Sequence, residues 1–319
     1  MPLLDIADLN VSFTSRSGVF PAVEGFSLTV EAGEAVGIVG ESGAGKSVAM
    51  LAAMGLIEPP GRVSARQMMF NGVDLARTEP ATRRRVIGKD IAMVFQEPAS
   101  NLDPCYSIGF HIMETLRVHN FGHRAARRER AIEVARQVGF PPARLDAFPH
   151  QLSGGMAQRA MIAMAIACRP KLLIADEPTT ALDVSVQAQI IALLLALRRT
   201  QGMALILITH DMGVVAEAVE RVVVLYAGEV CEQADTDRLL RAPCHPYTHA
   251  LLAALPERNF GTGPLPAIPG AVPGGGDRPE GCLFHPRCVY AVERCQREAP
   301  ALRPLEGGLV RCHFPVKNG

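Results

Sequence analysis

The chain has 319 residues, of which 48% are apolar and 5% aromatic, and its 32 basic and 32 acidic residues cancel to a formal net charge of zero. This length supplies enough apolar material for one large domain or two modest ones, and the charge balance argues against electrostatic binding of nucleic acid. No apolar run approaches the roughly 18 residues of a membrane-spanning helix, and the N-terminus lacks the basic segment of a secretory signal, so we expect a soluble, cytoplasmic protein.

The first third of the chain predicts strands followed by a helix and a hairpin. Residues 1–39 contain three strand-like apolar runs separated by turn residues. A helix is expected from Lys46 to Leu56, directly after a glycine-rich turn. Residues 66–75 predict a hairpin, because Asn71-Gly72 is a common pair in tight turns.

Further along, the chain predicts helices that alternate with short buried strands. His123–Val138 carries many arginines with apolar residues at helical spacing, which indicates a surface helix with a solvated basic face. The apolar runs Leu172–Asp176 and Ala204–Thr209 are typical of parallel strands joined by helical crossovers. Residues 256–319 contain 10 Pro and 10 Gly and predict a loop-rich C-terminal extension.

The sharpest local motif is a phosphate-binding loop between a strand-like run and the first predicted helix. The motif G-x-x-x-x-G-K-S is formed by Gly40, Glu41, Ser42, Gly43, Ala44, Gly45, Lys46 and Ser47. Glycines let backbone N–H groups converge on phosphate oxygens, and the helix N-terminus adds positive potential. Lys46 is placed for the β- and γ-phosphates, and the Ser47 hydroxyl for Mg²⁺.

A second motif places two carboxylates at the end of an apolar strand. Leu172–Asp176 is followed by Glu177, so Asp176 is expected at the carboxyl edge of the sheet, where it orients the metal. Glu177 would then polarise the attacking water, and general-base catalysis of this kind contributes about 10²–10⁴-fold.

Between these motifs lies Leu152–Gln158, with the sequence LSGGMAQ. Together with the phosphate loop, Gln96, the acidic strand end, 181–183 (ALD) and 209–211 (THD), it makes the chain resemble the ATP-binding-cassette (ABC) nucleotide-binding subunits over about residues 1–250. The resemblance implies an α/β P-loop NTPase fold with a RecA-like parallel core, an antiparallel β-subdomain and a helical subdomain at about 97–168. It places the cassette at 1–255 and a cysteine-containing extension at 256–319.

The same resemblance implies an ATP- and Mg²⁺-dependent ATPase and assigns roles to individual residues. Glu177, His210 and Gln96 would be catalytic, with His210 holding the attacking water and Gln96 also coupling the nucleotide to the membrane partner. Mg²⁺ would be held by Ser47, Gln96 and Asp176.

The implied nucleotide-binding set also includes residues that act across a dimer. Ser153 and Gly155 would bind the γ-phosphate of the opposite subunit's ATP, and Asp183 would link the two sites. Phe13 is the expected adenine-stacking aromatic, with Phe20 as the alternative. The full set comprises Gly40, Ser42, Gly43, Ala44, Gly45, Lys46, Ser47, Asp176, Ser153, Gly154, Gly155, Asp183 and Phe13.

Several longer segments of the chain resemble the ATPases of dipeptide and oligopeptide importers. They comprise Phe95–Pro98, Thr179–Gln187, Cys244–Thr248 and Cys282–Cys288. Importers of nickel or glutathione share this ATPase type, so the substrate stays open. The implied partners are a second ATPase subunit (a different polypeptide or a copy), two transmembrane permeases and, indirectly, an extracytoplasmic binding protein, on the cytoplasmic face of the inner membrane.

Two other functions fit the sequence less well than transport does. A soluble cassette acting on nucleic acid or ribosomes usually carries a second cassette, a coiled-coil insertion or basic arms, and none is visible in this sequence. A regulatory protein that binds ATP without turnover conflicts with the intact Glu177 and His210.

Four cysteines in the extension suggest a metal centre. Cys282, Cys288, Cys295 and Cys312 lie in a segment with little apolar core, where a bound metal would supply folding energy. Their spacing lacks the close pairs of zinc sites and the tight runs of ferredoxins, so zinc, an iron–sulfur cluster and free thiols stay open. The resemblance to peptide-importer ATPases favours a [4Fe–4S] cluster. His285 and His313 are interpreted as surface or packing residues.

Overall fold

The structure is a computed structural model that describes residues 1–16, 18–180, 182–255 and 267–316. The chain divides into two compact units. The first, called unit A, is drawn from Met1–Val30, Ala35–Ala76 and Ile208–Gly319. The second, called unit B, comprises Glu31–Glu34 and Arg77–Leu207.

Unit A contains an antiparallel sheet. Its strands are β1 (Leu4–Ser15), β2 (Gly18–Val30), β4 (Gly61–Ser64), β5 (Gln67–Phe70) and β6 (Val73–Asp74), in the order β2-β1-β5-β6 with β4 also paired to β1. The alternation of buried and exposed side chains along β1 is interrupted between Ile6 and Leu9, because the strand has a bulge there. The bulge is marked by a register shift with β2 and by a positive φ of 54° at Asp8. The strict alternation of a flat strand therefore does not hold along β1.

A second group of strands in unit A carries the phosphate loop and receives the C-terminal extension. It comprises β3 (Ala35–Val39), β10 (Arg221–Tyr226), β11 (Glu229–Asp235), β12 (Arg303–Leu305) and β13 (Gly308–Val310). β3 and β10 are parallel, β10 and β11 form an antiparallel pair, and β13 joins the outer edge of β11. The helices of this unit are α1 (Lys46–Met54), α8 (Met212–Ala218), α9 (Thr236–Arg241), α10 (Pro246–Ala253) and α11 (Glu293–Arg297). Every residue of β3 is buried, as expected for a central parallel strand.

Unit B combines parallel strands with helices. β7 (Ile91–Val94) pairs in parallel with β8 (Leu172–Asp176), and β9 (Ala204–Thr209), whose last two residues belong to unit A, lies on the other side of β8. The helices are α2 (Pro80–Val86), α3 (Pro98–Asn101), α4 (Ile108–Val118), α5 (Arg124–Gln137), α6 (Gly154–Ile166) and α7 (Val184–Gln201). α4, α5 and α6 contact one another, and each contributes fully buried apolar side chains, among them Ile112, Val134 and Met161.

Most of the elements predicted from the sequence are confirmed. β8 and β9 have the predicted bounds, and the hairpin at 66–75 forms as β5 and β6 around Asn71-Gly72. α1 ends two residues before the predicted Leu56, because Gly55 adopts φ 69°. The N–H of Gly55 donates to Ala52 O at 3.0 Å and that of Leu56 to Leu51 O at 2.9 Å, which closes the helix.

The surface helix predicted at 123–138 is confirmed as α5, although one of its arginines is not solvated. Arg130 is only 3% exposed and donates to Ala167 O at 2.9 Å and Ile166 O at 3.2 Å, and it pairs with Glu133 at 2.8 Å. The guanidinium of Arg130 therefore stabilises the carbonyl groups at the C-terminal end of α6, where a cation is favoured.

Among the described residues, no helix is both long enough and apolar enough to cross a bilayer.

Candidate functional site

The phosphate loop runs from the end of β3 to the start of α1 and depends on its glycines. Gly40, Gly43 and Gly45 have φ angles of 152°, 81° and 94°, which side-chain-bearing residues rarely adopt. A Cβ at Gly45 would lie 2.6 Å from Ala22 O. Glycine is therefore required here both by the backbone angle and by the close approach of β2.

Lys46 and Ser47 occupy the first turn of α1, which contains no acidic residue. The Lys46 side chain is buried, and its ammonium donates to Gly40 O at 2.8 Å and to Glu41 O at 3.0 Å. Ser47 is half-buried beside it. A lysine charge, backbone N–H groups and a helix N-terminus thus converge in one loop, as required for binding phosphate.

In unit B, the carboxyl ends of β7 and β8 bring together three of the predicted residues. Asp176 ends β8 and is 5% exposed. Glu177 follows with φ 43°, and its Oε2 accepts from Gln96 Nε2 at 3.1 Å and from Thr180 Oγ1 at 2.9 Å. The side chain of Glu177 is thereby held in one orientation by residues that follow both strands.

The LSGGMAQ segment begins helix α6. Ser153 is the exposed N-cap residue, and its side chain makes no capping hydrogen bond. A Cβ at Gly155 would lie 2.9 Å from Val186 Cγ1, and one at Gly154 would lie 3.2 Å from Leu182 Cδ2. A side chain at either position would therefore crowd the start of α6 where it packs against α7 and the residues before it, more tightly at Gly155 than at Gly154.

Asp183 and His210 lie at the starts of α7 and α8. Asp183 is the exposed N-cap residue of α7, and Ala181 before it lies outside the described residues. His210 is exposed and follows β9. Its neighbours Thr209 and Asp211 are hydrogen-bonded to each other, since Thr209 Oγ1 accepts from Asp211 N at 3.0 Å, and Asp211 caps α8. His210 belongs to unit A, whereas Asp176 and Glu177 belong to unit B.

The two candidate aromatics face each other across the first strand pair. Phe13 on β1 is the register partner of Phe20 on β2, and both are half-buried. Gly275 and Gly276 of the extension lie against Phe20, since a Cβ on either would be within 3.0 Å of it. Because Phe20 is covered in this way, Phe13 is the better candidate for stacking on adenine.

The four cysteines of the extension line one pocket. Cys282, Cys288, Cys295 and Cys312 lie there, together with aromatic and histidine side chains. All four thiols are free. Burial raises the pKa of Cys282 and Cys288, and raises the pKa of Cys312 to about 12.

Histidines also line this pocket. Burial lowers the pKa of His245 to about 4, and its Nδ1 accepts from Tyr247 N at 3.0 Å, so the ring is neutral at neutral pH. In the part of the chain that the structure describes, no three His, Cys, Asp or Glu side chains are arranged to hold a single metal ion.

Two residues that contact the phosphate loop were not predicted from the sequence. Glu41 has no assigned role in the motif, yet Arg287 pairs with its carboxylate at 2.7 Å and Tyr247 OH accepts from its N–H at 2.8 Å. No local signal links these positions, because 246 and 206 residues separate Arg287 and Tyr247 from Glu41.

Comparison with known proteins identifies the class. The ABC transporter family matches residues 23–180, and the family described as the C-terminal region of oligopeptide/dipeptide transporters matches residues 231–295. The ATP-binding cassette MJ0796, in a dimeric post-hydrolysis structure with ADP and Pi, is 27% identical with a TM-score of 0.66, covering 73% of this chain and 98% of its own.

Relatives match along the whole chain. The dipeptide transport ATP-binding protein DppD of Escherichia coli (strain K12) is 56% identical, covering 100% of this chain and 98% of its own length. DppD of Haemophilus influenzae is 53% identical, covering 100% of this chain and 97% of its own length. The chain therefore belongs to the family of ABC transporter ATP-binding subunits.

The predicted family, the α/β P-loop cassette fold and the ATPase activity are thereby confirmed. These matches lend no support to the alternative of a soluble cassette acting on nucleic acid or ribosomes.

Proposed function

We propose that this ATPase powers the import of dipeptides or closely related peptides. The observation that carries the proposal is the 56% identity to a dipeptide transport ATP-binding protein along the entire chain. The match of residues 231–295 to the C-terminal region of oligopeptide/dipeptide transporters supports the same substrate class. The chain would act as a peripheral subunit on the cytoplasmic face of the inner membrane, bound to two permeases that receive substrate from an extracytoplasmic binding protein.

Uptake by the reconstituted importer tests this proposal. The chain would be co-purified with its permease partners, placed in proteoliposomes and supplied with the binding protein and internal Mg-ATP. ATP-dependent accumulation of a labelled dipeptide is expected, and it should vanish with Glu177→Gln. Accumulation of nickel or glutathione instead of the peptide would contradict the substrate class, and failure to bind any permease would contradict the transport role.

Within the chain, we propose that the phosphate loop binds the triphosphate and that Glu177 activates water. Lys46 would bind the β- and γ-phosphates, while the hydroxyl of Ser47, the amide oxygen of Gln96 and the carboxylate of Asp176 are oxygen donors of the kind that Mg²⁺ prefers. The bound ion would neutralise charge that develops on the phosphates. Glu177 is held by Gln96 Nε2 at 3.1 Å, which supports its role as a positioned base.

We propose that a second ATPase subunit completes the site, and that this subunit is a different polypeptide rather than a copy of this chain. The uncapped Ser153 at the start of α6 leaves its hydroxyl available for a phosphate, and Asp183 would link the two sites. Light scattering on the Glu177→Gln chain with Mg-ATP tests this choice. A dimer that forms only after the second subunit is added supports the heterodimer, whereas a dimer of this chain alone contradicts it.

We also propose that residues 256–319 form a C-terminal extension of the cassette and that its cysteine pocket holds a [4Fe–4S] cluster. Four free thiols lining one pocket are a suitable donor set for such a group. The start of the extension, residues 256–266, lies outside the described residues, so the boundary after residue 255 stays a prediction.

Metal and sulfide analysis of protein purified without oxygen tests the cluster. About four iron and four sulfide per chain are expected, with loss of both in Cys295→Ser and retention in Cys105→Ser, which alters an exposed thiol outside the pocket. Zinc without sulfide would support the zinc alternative, and a chain with neither metal would support free thiols; either result contradicts the cluster.

A further inference from the structure

The side chain of Glu41, the second residue of the phosphate loop, is held by a residue of the C-terminal extension. Arg287 forms a two-point ion pair with it, Nη1 to Oε2 at 2.7 Å and Nη2 to Oε1 at 2.9 Å. The arginine side chain is 5% exposed and the glutamate 30%. Pairing with Glu41 raises the pKa of Arg287, so the guanidinium stays charged. A planar, two-point pair of this kind restrains orientation as well as charge.

The backbone of Glu41 is held as well. Its N–H donates to the hydroxyl of Tyr247 at 2.8 Å, and its carbonyl accepts from Lys46 Nζ at 3.0 Å. Tyr247 is fully buried and packs edge-on against Tyr226 at 4.7 Å between ring centroids. Glu41 is therefore restrained at its side chain, its N–H and its carbonyl oxygen at once.

Arg287 is itself anchored by neighbouring groups. Its Nε donates to Pro269 O at 2.7 Å, and its guanidinium lies 5.7 Å from the centre of the Tyr226 ring. Because these contacts fix the guanidinium, the position of Glu41 follows from the fold of the extension rather than from the loop alone.

The ion pair between Arg287 and Glu41 should affect nucleotide binding, because Glu41 carries a negative charge. A carboxylate beside a phosphate-binding loop repels a triphosphate, and partial burial strengthens that repulsion. Arg287 neutralises this charge and holds the carboxylate in one orientation. Without Arg287, Glu41 would act against the same phosphates that Lys46 attracts.

We propose that Arg287 and Tyr247 are positioning residues for ATP binding, acting through Glu41 to hold the phosphate loop. The inference rests on the proposed role of this loop in binding the triphosphate. It assigns to the C-terminal extension a direct part in the affinity for ATP.

The test is a rescue experiment on ATP hydrolysis by the full-length chain. Arg287→Gln is expected to raise the KM for ATP about tenfold, a typical effect of losing a hydrogen-bonded charge, with little change in kcat. Adding Glu41→Gln should restore most of the lost affinity, because the unpaired carboxylate is then gone. Arg294→Gln is the matched control, since its pair with Glu298 at 2.7 Å is exposed and lies in the same extension.

Rescue separates a positioning role from a merely structural one, because a folding defect near the cysteine pocket would not be repaired by a change at Glu41. An unchanged KM in Arg287→Gln, or a double variant no better than the single, would overturn the proposal. Should Arg287→Gln fail to fold, Tyr247→Phe takes its place: a raised KM at constant kcat supports the proposal and an unchanged KM overturns it. A wild-type chain that binds no ATP would instead contradict the role proposed for the loop.

Discussion

Replacing Glu177 by Gln is expected to stop ATP turnover while ATP still binds. In the structure, Glu177 Oε2 accepts from Gln96 Nε2 at 3.1 Å and from Thr180 Oγ1 at 2.9 Å. A glutamine can place its amide oxygen at the same position and keep both bonds. The substitution therefore preserves shape and orientation and removes only the proton-accepting oxygen.

The size of the effect follows from the chemistry that is removed. A positioned general base contributes about 10²–10⁴-fold, equivalent to about 3–5 kcal/mol of the barrier. We expect kcat to fall by at least about 100-fold, while the dissociation constant for ATP stays close to that of the wild type. Steady-state hydrolysis gives the first quantity and isothermal titration calorimetry the second.

Glu129→Gln is a matched control for this experiment, because it makes the same chemical change at an exposed position on α5. Hydrolysis at the wild-type rate by Glu177→Gln would refute the general-base role. Loss of ATP binding together with turnover would refute the argument that the carboxylate acts in chemistry rather than in binding.

Three further outcomes are expected. Gly45→Ala should lower the free energy of unfolding by about 1–3 kcal/mol, measured by urea denaturation, because its Cβ would lie 2.6 Å from a carbonyl oxygen of β2; an unchanged midpoint would contradict this. Glu232→Ala should cost about 3–5 kcal/mol in the same assay, since the carboxylate is fully buried and pairs with Arg238 at 2.7 Å, and Glu232→Gln should cost less. Lys46→Ala combined with Ser153→Ala should abolish uptake by the purified importer; a complex that retained full uptake would disprove a triphosphate clamped between two subunits.

Regular elements with strong local signals could be predicted from the sequence. The hairpin at Asn71-Gly72 and the buried strands β8 and β9 formed as expected, because turn residues and continuous apolar runs act within a few residues. The bulge at Asp8 was not predicted, since a register shift depends on how β1 pairs with β2 and leaves no local signal.

The sequence by itself determined the chemistry of the candidate site. Gly45, Lys46 and Ser47 lie in consecutive positions of one motif, and Asp176 and Glu177 end one apolar strand, so their types and spacing were sufficient to predict a triphosphate site. Short-range spacing carries this information because the residues share a single loop or strand end.

Only the tertiary structure decided what holds that chemistry in place. Arg287 and Glu41 are 246 residues apart and meet at 2.7 Å, and β13 of the extension completes the edge of β11. Pairings of this kind depend on the path of the whole chain and on which buried groups remain to be satisfied, and neither can be read from neighbouring residues.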